Sequence, residues 1–254
     1  MDLQLSGTTV LVSGGGRGLG RAIGLAFAAE GAHVAFHYNS SADGAQEAAK
    51  EASALGVKSL AIGADLRDGE AVNRAVEEAE AALGPIGVLV NNAAATQNKP
   101  FLESTESDWE PQIEVTVAGT LRMTQAVARR MADHGGGSIV NLMGDSGRVG
   151  ESRLLVTATT RATTVGLTKS LAKELARHGI RANAVSIALV QTESLDAHTG
   201  NADDSRMKKI LSAYPLRRLG RPEDITPTVL LLASPRSSWT TGQVVSVNGG
   251  YAMP

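Results

Sequence analysis

Short apolar runs alternate along the whole chain with longer segments in which apolar residues recur every three to four positions. The short runs predict buried β-strands, and the longer segments predict amphipathic helices. Strands are predicted at residues 8–12, 32–36, 59–62, 86–90, 138–142, 181–187 and 244–247. Because helices separate the strands throughout, the pattern predicts a mostly parallel sheet with helices on both faces.

Helical connections between parallel strands are right-handed, and this rule leaves few topologies other than the doubly wound one. We therefore predict a Rossmann-type α/β fold in one domain over residues 1–254. Ser40 or Ser41 is predicted to cap one helix and Asp68 the next. A long helix is predicted from about Ser107. Its inward-facing residues are predicted to be Ile113, Val117, Leu121 and Val127.

A polar segment rich in Asp and Lys follows the predicted sixth strand, at about residues 191–213. Ligands of open α/β sheets bind beyond the carboxyl ends of the strands, which is where this segment begins. Two interpretations stay open: a small substrate lid, or a solvated pair of surface helices. His198 would contact a ligand only in the first.

Composition excludes several classes of function. The formal net charge of −2 over 254 residues gives no reason to expect nucleic acid or an anionic membrane as a partner. The chain has no cysteine, so disulfides and thiolate metal sites are absent. The 5 histidines are not spaced as metal ligands, and no metal site is predicted. No apolar run approaches the roughly 20 residues of a membrane span. We expect a cytoplasmic protein.

A glycine-rich turn, SGGGRGLG, occupies residues 13–20 between the first predicted strand and helix. Glycines allow the backbone to approach a pyrophosphate, which binds at the N-terminus of the following helix. In this context the turn predicts a dinucleotide site.

The end of the second predicted strand, HYNSS at residues 37–41, contains no acid that would bind a ribose 2′-hydroxyl. Arg17 in the glycine turn suits a 2′-phosphate, although arginine is also a common solvated surface residue. NADP(H) is therefore favoured over NAD(H) as the cofactor.

Several further motifs resemble the short-chain dehydrogenase/reductase family, most closely its β-ketoacyl-[acyl carrier protein] reductase branch. They are Asp65-Leu66, NNAA at 91–94, PLRRLGRPED at 215–224, and Thr241-Gly242 with NGG at 248–250. The resemblance covers the whole chain. The cofactor-binding residues that it and the turn imply are Gly14, Gly16, Arg17, Gly18, Leu19, Asn39, Ser40, Asp65, Leu66, Asn92, Ala93 and Arg161.

The resemblance also implies a catalytic tetrad of asparagine, serine, tyrosine and lysine, with the tyrosine as general acid. Matching residues 138–141 and 147–150 to the family pattern without gaps places these four positions at Thr116, Gly144, Thr157 and Arg161. All four are replaced. A threonine hydroxyl is a poor acid near neutral pH, and an arginine cannot share its proton. The family's Pro-Gly after the sixth strand is replaced by Ile187-Ala188, which predicts a remodelled nicotinamide end.

Three hypotheses of function remain. The first is an NADP(H)-binding member with weak or no carbonyl-reductase activity, acting as a partner, sensor or regulatory subunit. The second is an oxidoreductase with altered groups, in which Thr116, Ser146, Thr157 and Arg161 bind a ketone or β-ketoacyl thioester substrate. The third is a non-redox enzyme. Family members assemble as tetramers or dimers through two long helices, here at residues 113–131 and 157–175, so we expect a homo-oligomer or a hetero-oligomer with an active paralogue.

Overall fold

The computed structural model describes residues 1–193, 195 and 204–253. Its strands form one sheet in the order β3-β2-β1-β4-β5-β6-β7, and all neighbouring strands are parallel. The strands are β1 (Thr9–Val12), β2 (His33–Tyr38), β3 (Ser59–Gly63), β4 (Ile86–Asn91), β5 (Gly137–Gly144), β6 (Ile180–Ile187) and β7 (Val244–Val247). The predicted Rossmann-type α/β fold is confirmed, with a sheet that is wholly parallel in the described residues.

Helices cover both faces of the sheet. They are α1 (Gly18–Ala29), α2 (Ala42–Ala54), α3 (Gly69–Leu83), α4 (Glu106–Ile113), α5 (Thr120–Asp133), α6 (Ser146–Val149), α7 (Leu155–Leu175), α8 (Asp204–Ser212) and α9 (Pro222–Ala233). A π-helical segment, Glu114–Gly119, joins α4 to α5. No helix of the described residues is long and apolar enough to cross a lipid bilayer.

The continuous apolar runs of the strands supply two cores, one on each face of the sheet. Val10 and Val12 pack with the cluster that includes Phe27 of α1, whereas Leu11 packs with the cluster that includes Val76 of α3. Successive side chains of a strand point to opposite faces, so a run buried on both faces has no polar alternation. This is why the sequence pattern located the strands.

The predicted inward stripe of the long helix is wrong for Ile113 and Leu121, whose side chains are 45% and 50% exposed. Val127 is buried as predicted, and Val117 is half-buried. The buried positions also include Gln112, Thr116, Gly119 and Met123, which the predicted stripe does not contain. The π-helical turn changes the phase of the helix, and a Cβ on Gly119 would lie 2.7 Å from the Cβ of Leu66, so the helix packs very closely there.

Asp68 caps α3 as predicted, because its carboxylate accepts from the amides of Glu70 and Ala71. Ser41 is the N-cap residue of α2, but its hydroxyl makes no capping hydrogen bond, so the predicted serine cap is not formed. The predicted lid at about 191–213 lies partly outside the described residues, and His198 lies outside them. Of this segment, Asp204–Ser212 forms α8.

Candidate functional site

A cavity of about 660 Å³ lies beyond the carboxyl ends of the strands, where β1 and β4 are neighbours and the order of the strands in the sheet reverses. This is the switch point at which open α/β sheets bind ligands. All the residues predicted to bind the cofactor line it: Gly14, Gly16, Arg17, Gly18, Leu19, Asn39, Ser40, Asp65, Leu66, Asn92, Ala93 and Arg161. The fold therefore brings together residues from widely separated parts of the sequence.

The glycine turn is held against the end of β4 by Ser13 and Asn92. The Ser13 hydroxyl accepts from the amides of Asn92 and Ala93 at 3.0 and 3.1 Å, and the Asn92 side-chain amide donates to the Ser13 and Gly14 carbonyls. Gly14 has φ +67°, and a Cβ on Gly20 would lie 2.2 Å from the Gly14 oxygen. Only glycine fits such a turn. Amides at the start of a helix that follows such a turn are a common arrangement for binding an anion.

The sequence places His37 at the end of the second strand but does not indicate its structural role, because the spacing of histidines tests only for a metal site. The Gly14 amide donates to its Nδ1 at 3.3 Å, and its Nε2 donates to the Ala64 carbonyl at 3.1 Å. The side chain is 1% exposed. Burial lowers the pKa of His37 from 6.5 to about 4, so the ring is neutral and its tautomer is fixed. It ties the glycine turn to the end of β3.

The adenosine side of the cavity has hydrogen-bond donors and one acid, Asp65, which is already paired with Arg67. Arg17 is exposed and its guanidinium makes no hydrogen bond within the described residues; Asn39 and Ser40 line the same cavity. The Asp65 carboxylate is held by Arg67, whose Nε and Nη2 lie 3.0 and 2.6 Å away, and this pairing lowers the pKa of Asp65. A free guanidinium beside the turn fits a cofactor with a 2′-phosphate.

The four positions matched to the catalytic tetrad are not gathered together in the cavity. Of Thr116, Gly144, Thr157 and Arg161, only Arg161 lines the cavity. The Thr116 hydroxyl accepts from the Ala95 amide at 3.1 Å and lies 3.3 Å from the carbonyl oxygen of the same residue.

Thr157 is 3% exposed and hydrogen-bonded inside the protein. Its hydroxyl donates to Gln112 Oε1 at 2.5 Å and accepts from the Gln97 amide at 3.3 Å. The Gln112 side chain in turn donates to the Asp108 carbonyl. The Thr157 hydroxyl therefore donates its proton to a hydrogen bond inside the protein, to Gln112.

Asp108 fixes the loop that covers Thr157. Its carboxylate accepts from Lys99 Nζ at 2.7 Å, from Gln97 Nε2 at 2.8 Å and from the Thr105 amide at 2.8 Å. These donors, Lys99 first, lower the pKa of Asp108 well below its usual range. The loop is thus closed over the position at which the family has its tyrosine.

The 3 tyrosines of the chain lie away from the four matched positions. The Tyr251 hydroxyl donates to Glu151 at 3.0 Å, and burial together with that carboxylate raises the pKa of Tyr251 to about 12. Tyr214 accepts from the Leu189 amide at 3.1 Å. Tyr38 lines the cavity with its ring against Gly63 of β3, on the adenosine side.

Ile187 and Ala188, which stand in place of the family's Pro-Gly, both line the cavity. The non-glycine residues with positive φ in the described part of the chain are Gln4, Arg153 and Arg217. Ala188 is therefore accommodated without a left-handed backbone.

A second cavity, of about 690 Å³, lies at the opposite edge of the sheet, lined by Gly87, Gly137 and Arg181. The Arg181 guanidinium is already hydrogen-bonded to the carbonyls of Leu232 and Thr240. This cavity therefore offers no free charged group.

The fold and the position of the cavity define a protein of the Rossmann type. A family model described as Enoyl-(Acyl carrier protein) reductase matches residues 14–252. The 3-oxoacyl-[acyl-carrier-protein] reductase FabG of Staphylococcus epidermidis is 36% identical over 245 residues, which cover 96% of this chain and 99% of that protein. The chain belongs to the short-chain dehydrogenase/reductase family.

Solved structures agree with that assignment. A structure described as an NAD(P)-dependent gluconate 5-dehydrogenase from Beutenbergia cavernae, with bound NADP, is similar with a TM-score of 0.91, 33% identity and coverage of 99% of both chains. A 7α-hydroxysteroid dehydrogenase in complex with NADH has a TM-score of 0.91 and 30% identity, covering 98% of this chain and 96% of that one. These two relatives hold different nicotinamide cofactors.

Proposed function

We propose that this chain binds NADP(H) and has weak or no carbonyl-reductase activity, and that it acts as a partner, sensor or regulatory subunit. The observation that carries the proposal is the burial of Thr157, whose hydroxyl donates to Gln112 rather than toward the cavity. Hydride transfer to a carbonyl needs a proton donor at the carbonyl oxygen. Loss of such a general acid costs about 10²- to 10⁴-fold in rate.

The other three positions do not replace that acid. Arg161 keeps a positive charge but does not release a proton near neutral pH. Gly144 has no side chain to polarise a carbonyl, and Thr116 is hydrogen-bonded to Ala95. A bound dinucleotide would supply the hydride chemistry, while this chain supplies the phosphate-binding turn and the neighbouring donors.

Arg17 supports the choice of NADP(H) over NAD(H), because its guanidinium is free within the described residues and lines the same cavity as Asn39 and Ser40. The negative charge of Asp65 is paired with Arg67, so Asp65 should repel a 2′-phosphate less than an unpaired carboxylate would.

An assembly through the long helices is part of the proposal, either with copies of this chain as a dimer or tetramer, or with an active paralogue. Ile113, Leu121 and Leu155 lie on α4, α5 and α7 and are about half exposed. Exposed apolar side chains are stabilised when another protein surface covers them, so these helices are the expected interface of the assembly.

The primary experiment is a fluorescence titration of the purified protein with NADPH and with NADH, followed by assays of NADPH oxidation with β-ketoacyl thioesters and small ketones. We expect NADPH to bind more tightly than NADH, and we expect turnover to be absent or about 10²- to 10⁴-fold below that of a reductase with an intact tetrad. Saturable turnover of any substrate would contradict the proposed lack of activity, and absence of binding would contradict the proposed cofactor.

A restored tetrad tests the reason for inactivity. The combined substitutions Thr116→Asn, Gly144→Ser, Thr157→Tyr and Arg161→Lys should produce measurable reductase activity. The matched control carries Thr157→Phe with the same three other changes, and should stay inactive because it lacks only the hydroxyl. Equal rates for the two variants would show that the missing phenol is not the cause. If the restored variant folds and binds NADPH but stays inactive, we would attribute the inactivity to Ile187-Ala188, at the nicotinamide end of the cavity.

A further inference from the structure

Residues 187–190, at the carboxyl end of β6, form a wall that two cavities share. All four residues line the cavity described above. Residues 188–190 also line a further cavity of about 200 Å³, together with Val247 of β7 and Ile225 of α9. The sequence of the wall, IALV, contains no proline that would fix its backbone torsions. The position of the wall beyond β6 therefore depends on hydrogen bonds from other segments.

Three hydrogen bonds connect the wall to other parts of the chain. The Ile187 carbonyl accepts from the Asp145 amide at 2.8 Å, and the Leu189 carbonyl accepts from the Gly220 amide at 3.0 Å. The Leu189 amide donates to the Tyr214 hydroxyl at 3.1 Å. Within the described residues, this third bond is the one that a side chain makes to the wall. A single substitution can therefore remove it without altering the backbone.

The Tyr214 side chain is itself held in place. It is 2% exposed, and its ring stacks on the ring of Tyr251 with the centroids 5.2 Å apart. The Leu216 amide donates to the Gly249 carbonyl at 3.2 Å, which ties the chain after Tyr214 to the segment that carries Tyr251. The Tyr214 hydroxyl therefore presents the Leu189 amide with an acceptor whose position is fixed.

The wall lies far across the sheet from the donors expected to bind adenosine. Asn39 and Ser40 follow β2, whereas the wall ends β6, and β1, β4 and β5 lie between these two strands. Neighbouring strands are about 4.8 Å apart, so the separation is about 19 Å. A ligand bound only at the end of β2 does not reach the wall, whereas a dinucleotide that fills the cavity does.

We propose that Tyr214 is a positioning residue for the nicotinamide half of the dinucleotide, acting through the Leu189 amide. Tyr214 lines neither of the two cavities, so it does not contact the ligand itself. Without its hydroxyl the wall is no longer held in one position, and a ligand that packs against it has to order it on binding. That ordering weakens affinity. The proposal rests on the proposed function, because it takes NADP(H) as the ligand of the cavity.

The first measurement uses no cofactor. Amide hydrogen exchange of residues 187–191 is followed by mass spectrometry in the wild type, in Tyr214→Phe and in Tyr251→Phe. Tyr214→Phe keeps the stacked ring and loses only the hydroxyl, so the Leu189 amide should exchange about 3- to 10-fold faster. Tyr251→Phe is the matched control. Its hydroxyl is bonded to Glu151 and not to the wall, so exchange of the wall should be that of the wild type.

The second measurement compares two ligands of different length. NADPH is titrated by fluorescence, and adenosine 2′,5′-bisphosphate, which represents the adenosine half alone, is titrated by calorimetry. Tyr214→Phe should bind NADPH about 3- to 10-fold more weakly and adenosine 2′,5′-bisphosphate as tightly as the wild type does. Tyr251→Phe should bind both as the wild type does. A general loss of stability would weaken both ligands, so the difference between them isolates the wall.

Three results would overturn the proposal: unchanged exchange of the Leu189 amide in Tyr214→Phe, equal losses for the two ligands in that variant, or the same losses in Tyr251→Phe. If the wild type binds neither ligand, the proposed function fails, and with it the role of Tyr214 in binding nicotinamide. The exchange measurement still decides in that case whether Tyr214 fixes the wall, so the two failures are distinguishable.

Discussion

Acidification should destabilise this protein through His37 before most carboxylates titrate. Burial lowers the His37 pKa from 6.5 to about 4, so the folded state binds this proton more weakly than the unfolded state. The unfolded state therefore takes up more protons between pH 6.5 and about 4, and stability falls as the pH falls through that window. Above this pH window, the His37 ring is neutral in both the folded and the unfolded protein, so its contribution to stability no longer changes with pH.

The magnitude follows from the displacement of the pKa. At about 1.4 kcal/mol per pH unit, a fall from 6.5 to about 4 amounts to a loss of about 3 kcal/mol. The structural cause is local. Protonation of Nδ1 would place two donors face to face, because the Gly14 amide points at that nitrogen. The glycine turn should therefore loosen, and NADPH affinity should fall in the same pH window.

The assay is urea unfolding at half-unit steps from pH 7.5 to 4.5 for the wild type and for His37→Gln. The variant loses stability at pH 7.5, but its free energy of unfolding should fall less steeply toward pH 4.5 than that of the wild type. His178→Gln, a half-exposed position beside the start of β6, is the control and should retain the wild-type slope. If the wild type and His37→Gln lose stability in parallel, a neutral buried His37 is refuted.

Three further predictions concern the backbone. Asp68→Ala should lower the free energy of unfolding by about 1 kcal/mol in urea titrations, because two amides of α3 lose their acceptor; an unchanged midpoint would contradict this. Gly24→Ala should destabilise by about 1–3 kcal/mol, since its Cβ would lie 2.2 Å from the Phe36 ring; a wild-type melting temperature would show that the ring moves freely. Gly20→Ala should abolish NADPH binding in fluorescence titrations, because the methyl group would meet a carbonyl of the glycine turn at 2.2 Å. Gly166→Ala, whose Cβ has nothing within 4 Å, is the control and should bind as the wild type does.

Local pattern was enough to predict the fold and to select residues that line the cavity beyond β1 and β4. Strands buried on both faces are continuous apolar runs, and the spacing of glycines in a strand–turn–helix unit is itself a short-range property. For this reason Gly14, Gly20 and Asp68 have the structural roles that their positions in the sequence indicate. The gap-free match that placed Thr157 and Arg161 also used only neighbouring motifs.

Partners distant in the sequence were decided by the tertiary structure. The burial of Thr157 against Gln112, the neutral state of His37 and the hydrogen bond from Leu189 to Tyr214 depend on which segments meet in the fold. Periodicity also failed at Ile113, because a π-helical turn changes the phase of a helix without leaving a mark in the apolar pattern. Hydrogen-bond partners and charges without partners are properties of packed surfaces, so only the folded chain defines them.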